Sequence, residues 1–191
     1  MEDIYVSEQA LNRRTLVVSG AAALAALGLA SRAALAVPVV QSGGGIAGGG
    51  SLQADGGPAE FSVFGSRFVT DTGETLFVGS LSYLDVVAKT TIESVSISAY
   101  GPVEGSEGTM RQMSGICTMN GEGKHPFNLV LTDGGPIGSG ADAFDLAVGA
   151  DGDTEVGDAI YGIQSGVQAG NLQIIEFPFT DDATGSPTPA G

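Results

Sequence analysis

Asp151-Gly152-Asp153-Thr154-Glu155-Val156-Gly157-Asp158 places four carboxylates within eight residues. Ca²⁺ takes several oxygen ligands from a flexible loop, so this is the segment best suited to hold a metal. It departs from the helix–loop–helix calcium template: Val156 stands where that loop needs Gly, and Gly162 where it needs its terminal Glu. Asp133 with Asp142, supplemented by carbonyls of the Asp133-Gly134-Gly135-Pro136 turn, is a second candidate. The simpler reading of both is an acidic hairpin tip and side chains that cap turns. The expectation is therefore a domain without a cofactor, with calcium at Asp151, Asp153, Glu155 and Asp158 as the alternative.

Nucleophilic catalysis needs a nucleophile, a base and a group that orients the base. The chain has one histidine, His125, so any such triad must use it. His125 follows a glycine-rich turn and precedes Pro126, a setting that predicts a solvated ring. The single cysteine, Cys117, alternates with Met113, Gly115 and Met119, which predicts a buried, inert thiol. One Cys and one His do not make a zinc site, and one Cys excludes an intramolecular disulfide. Paired carboxylates for a small hydrolase are plentiful. The aromatic platforms of carbohydrate clefts are scarce, with no Trp and only Tyr5, Tyr83, Tyr100 and Tyr161 as tyrosines.

The elements that must position these residues are strands. Period-two alternation is plain in PFNLVLTD, where Phe127, Leu129 and Leu131 share a face, and in DAFDLAVG, where Phe144, Leu146 and Val148 do. In TIESVSISAY the same rule puts Val95, Ile97 and Ala99 on one face. AEFSVFGSRFV, TLFVGSLSYLDV, GICTMNG, AIYGIQSGV and NLQIIEF complete the series, separated by Gly, Asn and Asp turn signals that include Ala169-Gly170-Asn171. The fold expected is all-β: an antiparallel meander closing into a barrel of about eight strands, with a two-sheet β-sandwich as the alternative. The likeness of GGSLQ (49–53) to AGNLQ (169–173) suits first and last strands lying side by side, which would remove exposed sheet edges.

Ahead of the strands, residues 1–36 have the plan of an export signal. An apolar run from Leu16 to Ala30 lacks a polar face, is too short to span a membrane and ends before Arg32. Ala34-Leu35-Ala36 supplies a small-residue cleavage site, leaving Val37 as the first mature residue. Asn12-Arg13-Arg14-Thr15-Leu16-Val17 resembles a twin-arginine (Tat) signal, which implies export of an already folded chain. The partners implied are the Tat export machinery and signal peptidase. Residues 37–50 read as a glycine-rich linker, 51–179 as the β-domain and 180–191 as a disordered tail. No transmembrane span is expected in the mature chain.

The leader carries Glu2, Asp3 and Glu8 against Arg13, Arg14 and Arg32, so the whole charge of −15 belongs to residues 37–191. Such a surface repels phosphate backbones, which argues against nucleic-acid binding, and favours solubility.

A resemblance rests on glycine-turn motifs spread over most of the domain. The residues are Gly79, Leu81, Tyr83 and Asp85; Gly115, Asn120, Gly121 and Gly123; Asp133, Gly135, Pro136, Gly138, Asp142 and Phe144; and Gly170, Asn171, Leu172, Gln173 and Ile174. In these the chain resembles the post-COAP type β-domain of exported bacterial proteins, with Met119 in place of a usual Val and Gly134 in place of Asn. The resemblance implies the fold and carries no activity with it. The function expected is that of an exported, acidic, non-catalytic β-domain with a binding or structural role outside the cytoplasmic membrane. The alternatives are a small carboxylate-dependent hydrolase and a barrel binding a small apolar ligand.

Overall fold

In a computed structural model the chain is described over residues 40–136 and 140–177. Arg13, Arg14, the cleavage site after Ala36, Gly138 and the tail from 180 lie outside those residues. Eight strands run in order: β1 (Val40–Ala54), β2 (Gly57–Thr70), β3 (Thr75–Asp85), β4 (Thr90–Pro102), β5 (Met110–Met119), β6 (Glu122–Thr132), β7 (Ala143–Val148) and β8 (Tyr161–Phe177). Each is antiparallel to the next, and β8 returns to pair antiparallel with β1, closing a barrel. Among the described residues no helix is long and apolar enough to cross a membrane.

Closure brings Gly49 opposite Asn171 and Gly50 opposite Gly170, so the two similar pentapeptides do lie side by side. It also corrects the expected linker: the glycine run is the body of β1, pairing with β2 and β8. Glycine has no side chain to display an alternating pattern, and here its absence is what the packing requires. A Cβ on Gly48 or Gly50 would overlap the carbonyl oxygens of Asn171 or Ala169. Likewise, the two expected strands around residues 169–171 are one continuous β8. The turn signal there marks a bulge: Ser51 pairs with Ala169 but Leu52 with Val167, and Gly170 takes φ 114°. The hairpin between β5 and β6 agrees closely with the sequence, with Asn120 (φ 55°) and Gly121 (φ 80°) forming its left-handed turn pair.

β4 departs from simple alternation. Register shifts between Ser94 and Ser96 and between Ile97 and Ala99 break its period, and Val95 is 62 % exposed. Beyond Ser82–Glu93 the β3–β4 ladder parts, and the Leu81 amide donates instead to Ser94 Oγ at 2.8 Å.

Inward positions fill the barrel with its own side chains. Phe127, Leu129 and Leu131 from β6 and Phe144, Leu146 and Val148 from β7 are all buried. Phe144 sits between Phe61 and Tyr83, with ring centroids 4.7 and 5.9 Å away. An eight-stranded barrel is just wide enough for such filling.

Candidate functional site

Polar residues enter the inner face where the strands end. On β3, Tyr83 and Asp85 continue the inward set of Leu81, and Tyr161 opens β8. Their side chains converge at the barrel end that carries the β1–β2, β3–β4 and β5–β6 hairpins. Tyr161 Oη donates to Asp85 Oδ2 at 3.1 Å and lies 2.7 Å from Tyr83 Oη. Since Tyr161 has a single hydroxyl proton, it is Tyr83 that donates to Tyr161. Asp85 Oδ1 accepts from the amides of Val87 and Ala88, at 3.0 and 2.8 Å, shaping the β3–β4 turn. Asp85 is 4 % exposed, so these bonds supply the solvation that burial removes.

A cleft of about 530 Å³ opens beside this network, walled by Gln53, Asp55, Asp85, Asp145, Tyr161 and Gln164. Burial, and for Tyr161 the hydrogen bond with Tyr83, push both phenols above their ordinary value. At neutral pH both therefore remain protonated donors and do not act as bases. The arrangement orients hydroxyls toward a carboxylate that already accepts three bonds. Sequence patterning passes over it because polar residues end the inner faces of strands far apart in the chain.

Of the residues singled out from sequence, Cys117 is where it was expected, fully buried. Its Sγ donates to His125 O at 3.4 Å, and burial pushes the thiol up to about 11. His125 is the correction: it is buried, not solvated. β6 begins at Glu122, and counting back by two from Phe127 puts His125 on the inner face. The ring Nδ1 lies 3.1 Å from Gly149 O, and a carbonyl only accepts, so this nitrogen carries a proton.

The acidic segment 151–158 lies in the exposed connection between β7 and β8. Asp151 Oδ1 accepts from the Lys124 amide at 2.6 Å, tying the connection to the start of β6. Asp153 and Glu155 instead border a groove of about 540 Å³ over the outer face of β5 and β6, beside Ser114 and Asn128. Among the described residues no three His, Cys, Asp or Glu side chains come together as a metal would require. The structure thus does not converge Asp151, Asp153, Glu155 and Asp158.

Asp133 and Asp142 have a different task. β7 pairs with β8 only as far as Ala143–Gly166, leaving the rest of that edge of β8 without a strand. Asp142 Oδ2 accepts from the Leu172 amide at 2.7 Å, and Asp133 Oδ2 from the Ile174 amide at 2.8 Å. Their second oxygens accept from Gly134 and Gly135 within their own loop. Two carboxylates thus continue the ladder where β7 stops. In comparisons with known proteins, no family model, curated protein or solved structure matches the chain.

Proposed function

We propose that the protein is an exported, acidic, non-catalytic β-barrel that acts by binding, or as a structural component, outside the cytoplasmic membrane. The observation that carries the non-catalytic reading is the use made of its buried ionisable groups. Asp85 and Asp142 accept backbone amides, His125 meets a backbone carbonyl, and Cys117 donates to one. Each such bond stabilises a turn, a strand edge or the packing of β5 on β6, so these groups serve the fold. The filled interior also weighs against the reading as a hollow carrier of an apolar ligand.

The export reading is supported by the arginine pair, the short apolar run and the Ala34-Leu35-Ala36 cleavage pattern. Closed edges and a net charge of −15 suit a chain that must remain monodisperse outside the cell. A carboxylate hydrolase built on the cleft would use Asp85 and Asp145, and Asp85 is the residue whose oxygens are most fully occupied. The test is cell fractionation with intact-mass measurement of the product. The expected species begins at Val37 outside the cytoplasmic membrane; a full-length chain retained in the cytoplasm would overturn the proposal.

A further inference from the structure

The opposite end of the barrel, where β1 begins and β8 ends, is a mouth lined by Arg67, Tyr100, Arg111, Glu176 and the glycine backbone at 43–44, enclosing about 300 Å³. After the leader the chain has only four cations, Arg67, Lys89, Arg111 and Lys124, and two of them meet here. Arg111 lies on β5, and its side chain is 12 % exposed. Nη1 donates to the carbonyls of Gly108 and Met110, at 2.7 and 3.0 Å. Nη2 faces Glu176 Oε1 at 3.5 Å, and the Glu176 side chain is 77 % exposed.

A guanidinium drawn out of water is stabilised by a close, planar carboxylate contact at under about 3 Å. The long contact with a solvated Glu176 falls short of that. Beside it, Tyr100 is 7 % exposed, and its buried hydroxyl makes no well-formed hydrogen bond, with the Arg111 guanidinium as its neighbouring polar contact. Desolvation outweighs both the charge of Arg111 and its weak hydrogen bond and lifts this phenol to about 12, so it stays protonated. Gly44 lies against Glu176, where a Cβ would meet Oε2 at 3.2 Å.

We propose that this mouth binds a small organic monocarboxylate, as a free acid or as the C-terminal carboxylate of a peptide, on Arg111 and Tyr100, with Glu176 displaced into solvent. Glu176 itself marks the class of group accepted, because a carboxylate is what the fold already presents to Arg111. Arg67 adds positive charge at the rim. The remaining charge of the chain disfavours multiply charged phosphates more than a single carboxylate.

The test is an NMR titration of the barrel with butyrate, using butyramide, inorganic phosphate and sodium chloride at matched ionic strength as controls. Saturable shifts confined to the Arg111 guanidinium and the amides around Tyr100 and Glu176 are expected with butyrate alone. Tyr100→Phe should weaken binding about three- to tenfold without loss of fold, since its hydroxyl has no well-formed hydrogen bond to lose. Glu176→Gln removes the internal competitor and should tighten binding about fivefold, a gain that a merely structural ion pair would not give. Arg111→Gln should abolish it. Comparing peptides with free and amidated C-termini separates the sources: a free peptide binding more tightly than butyrate assigns the mouth to chain ends, and binding of butyrate alone assigns it to small acids. Equal shifts with butyramide, no saturation with butyrate, or unchanged affinity in Glu176→Gln would overturn the proposal.

Discussion

Removing one oxygen from Tyr161 separates a hydrogen-bonded network from a set of incidental contacts. In Tyr161→Phe the Tyr83 hydroxyl loses its acceptor, and Asp85 Oδ2 loses its phenolic donor. Tyr83 is 1 % exposed, so its hydroxyl depends on Tyr161 for its hydrogen bond. Leaving a buried hydroxyl unpaired costs about 1–3 kcal/mol, and the bond to the carboxylate adds to this, giving about 2–3 kcal/mol in all. Tyr83→Phe should cost only about 1 kcal/mol, because Tyr161 still donates to Asp85. The double variant orphans no hydroxyl, so it should be hardly worse than Tyr161→Phe alone, a coupling of about 1 kcal/mol. Urea denaturation of the four proteins at neutral pH measures each value, with unchanged m-values showing that the denatured state is the same. Strictly additive singles, or a Tyr161→Phe cost below about 0.5 kcal/mol, would refute the network.

The same packing has other measurable consequences. The unfolded chain ionises Cys117 at its ordinary 9.0 and the folded chain only at about 11, so the folded state holds more protons in that window and stability falls as pH rises through it. The buried phenols of Tyr83, Tyr100 and Tyr161 add losses of the same sign above about pH 10, so the Cys117 share is the difference between wild type and Cys117→Ala, about 2 kcal/mol by pH 11, measured by urea midpoints across pH; rapid labelling of the native thiol at neutral pH would contradict the burial. Asp142→Asn turns an acceptor into a donor facing the Gly134 or Leu172 amide and should cost about 2–3 kcal/mol, with faster hydrogen exchange at Leu172 than at Leu129. Calcium at about 1 mM should leave the melting temperature where chelator leaves it, because the loop 151–158 does not gather its carboxylates. A rise of several degrees, absent with magnesium and lost in Asp151→Asn plus Asp153→Asn, would make that loop a metal site.

Much of the barrel is legible in the sequence because its inner face is written in period two. Phe127, Leu129 and Leu131, and Phe144, Leu146 and Val148, share faces by alternation alone, and all six are buried in the barrel. Alternation fails where side chains do not carry the pattern. β1 is built on glycines that allow close backbone approach to β8, so its sequence looks like a linker. β4 contains two register shifts, so alternation assigns Val95 to the wrong face. Ala169-Gly170-Asn171 has the composition of a turn, and what it forms is a bulge within one strand. The tyrosine–aspartate network and the arginine mouth are illegible for another reason. Tyr83 with Tyr161, and Arg111 with Glu176, are brought together only by closure of the sheet. The burial of His125 is accessible to sequence reasoning if the Phe127 parity is extended one step further back, through the proline.

The claim that most depends on residues ahead of the barrel is export of an already folded protein by the twin-arginine route. A pulse-chase with protease protection, comparing wild type with the Arg13→Lys plus Arg14→Lys variant in a bacterial host competent for that route, tests it directly. The variant should accumulate inside the cell as full-length precursor with a protease-resistant barrel over residues 40–177, while wild type is processed after Ala36 and delivered across the membrane. Processing and delivery of the variant at the wild-type rate would contradict export by that route.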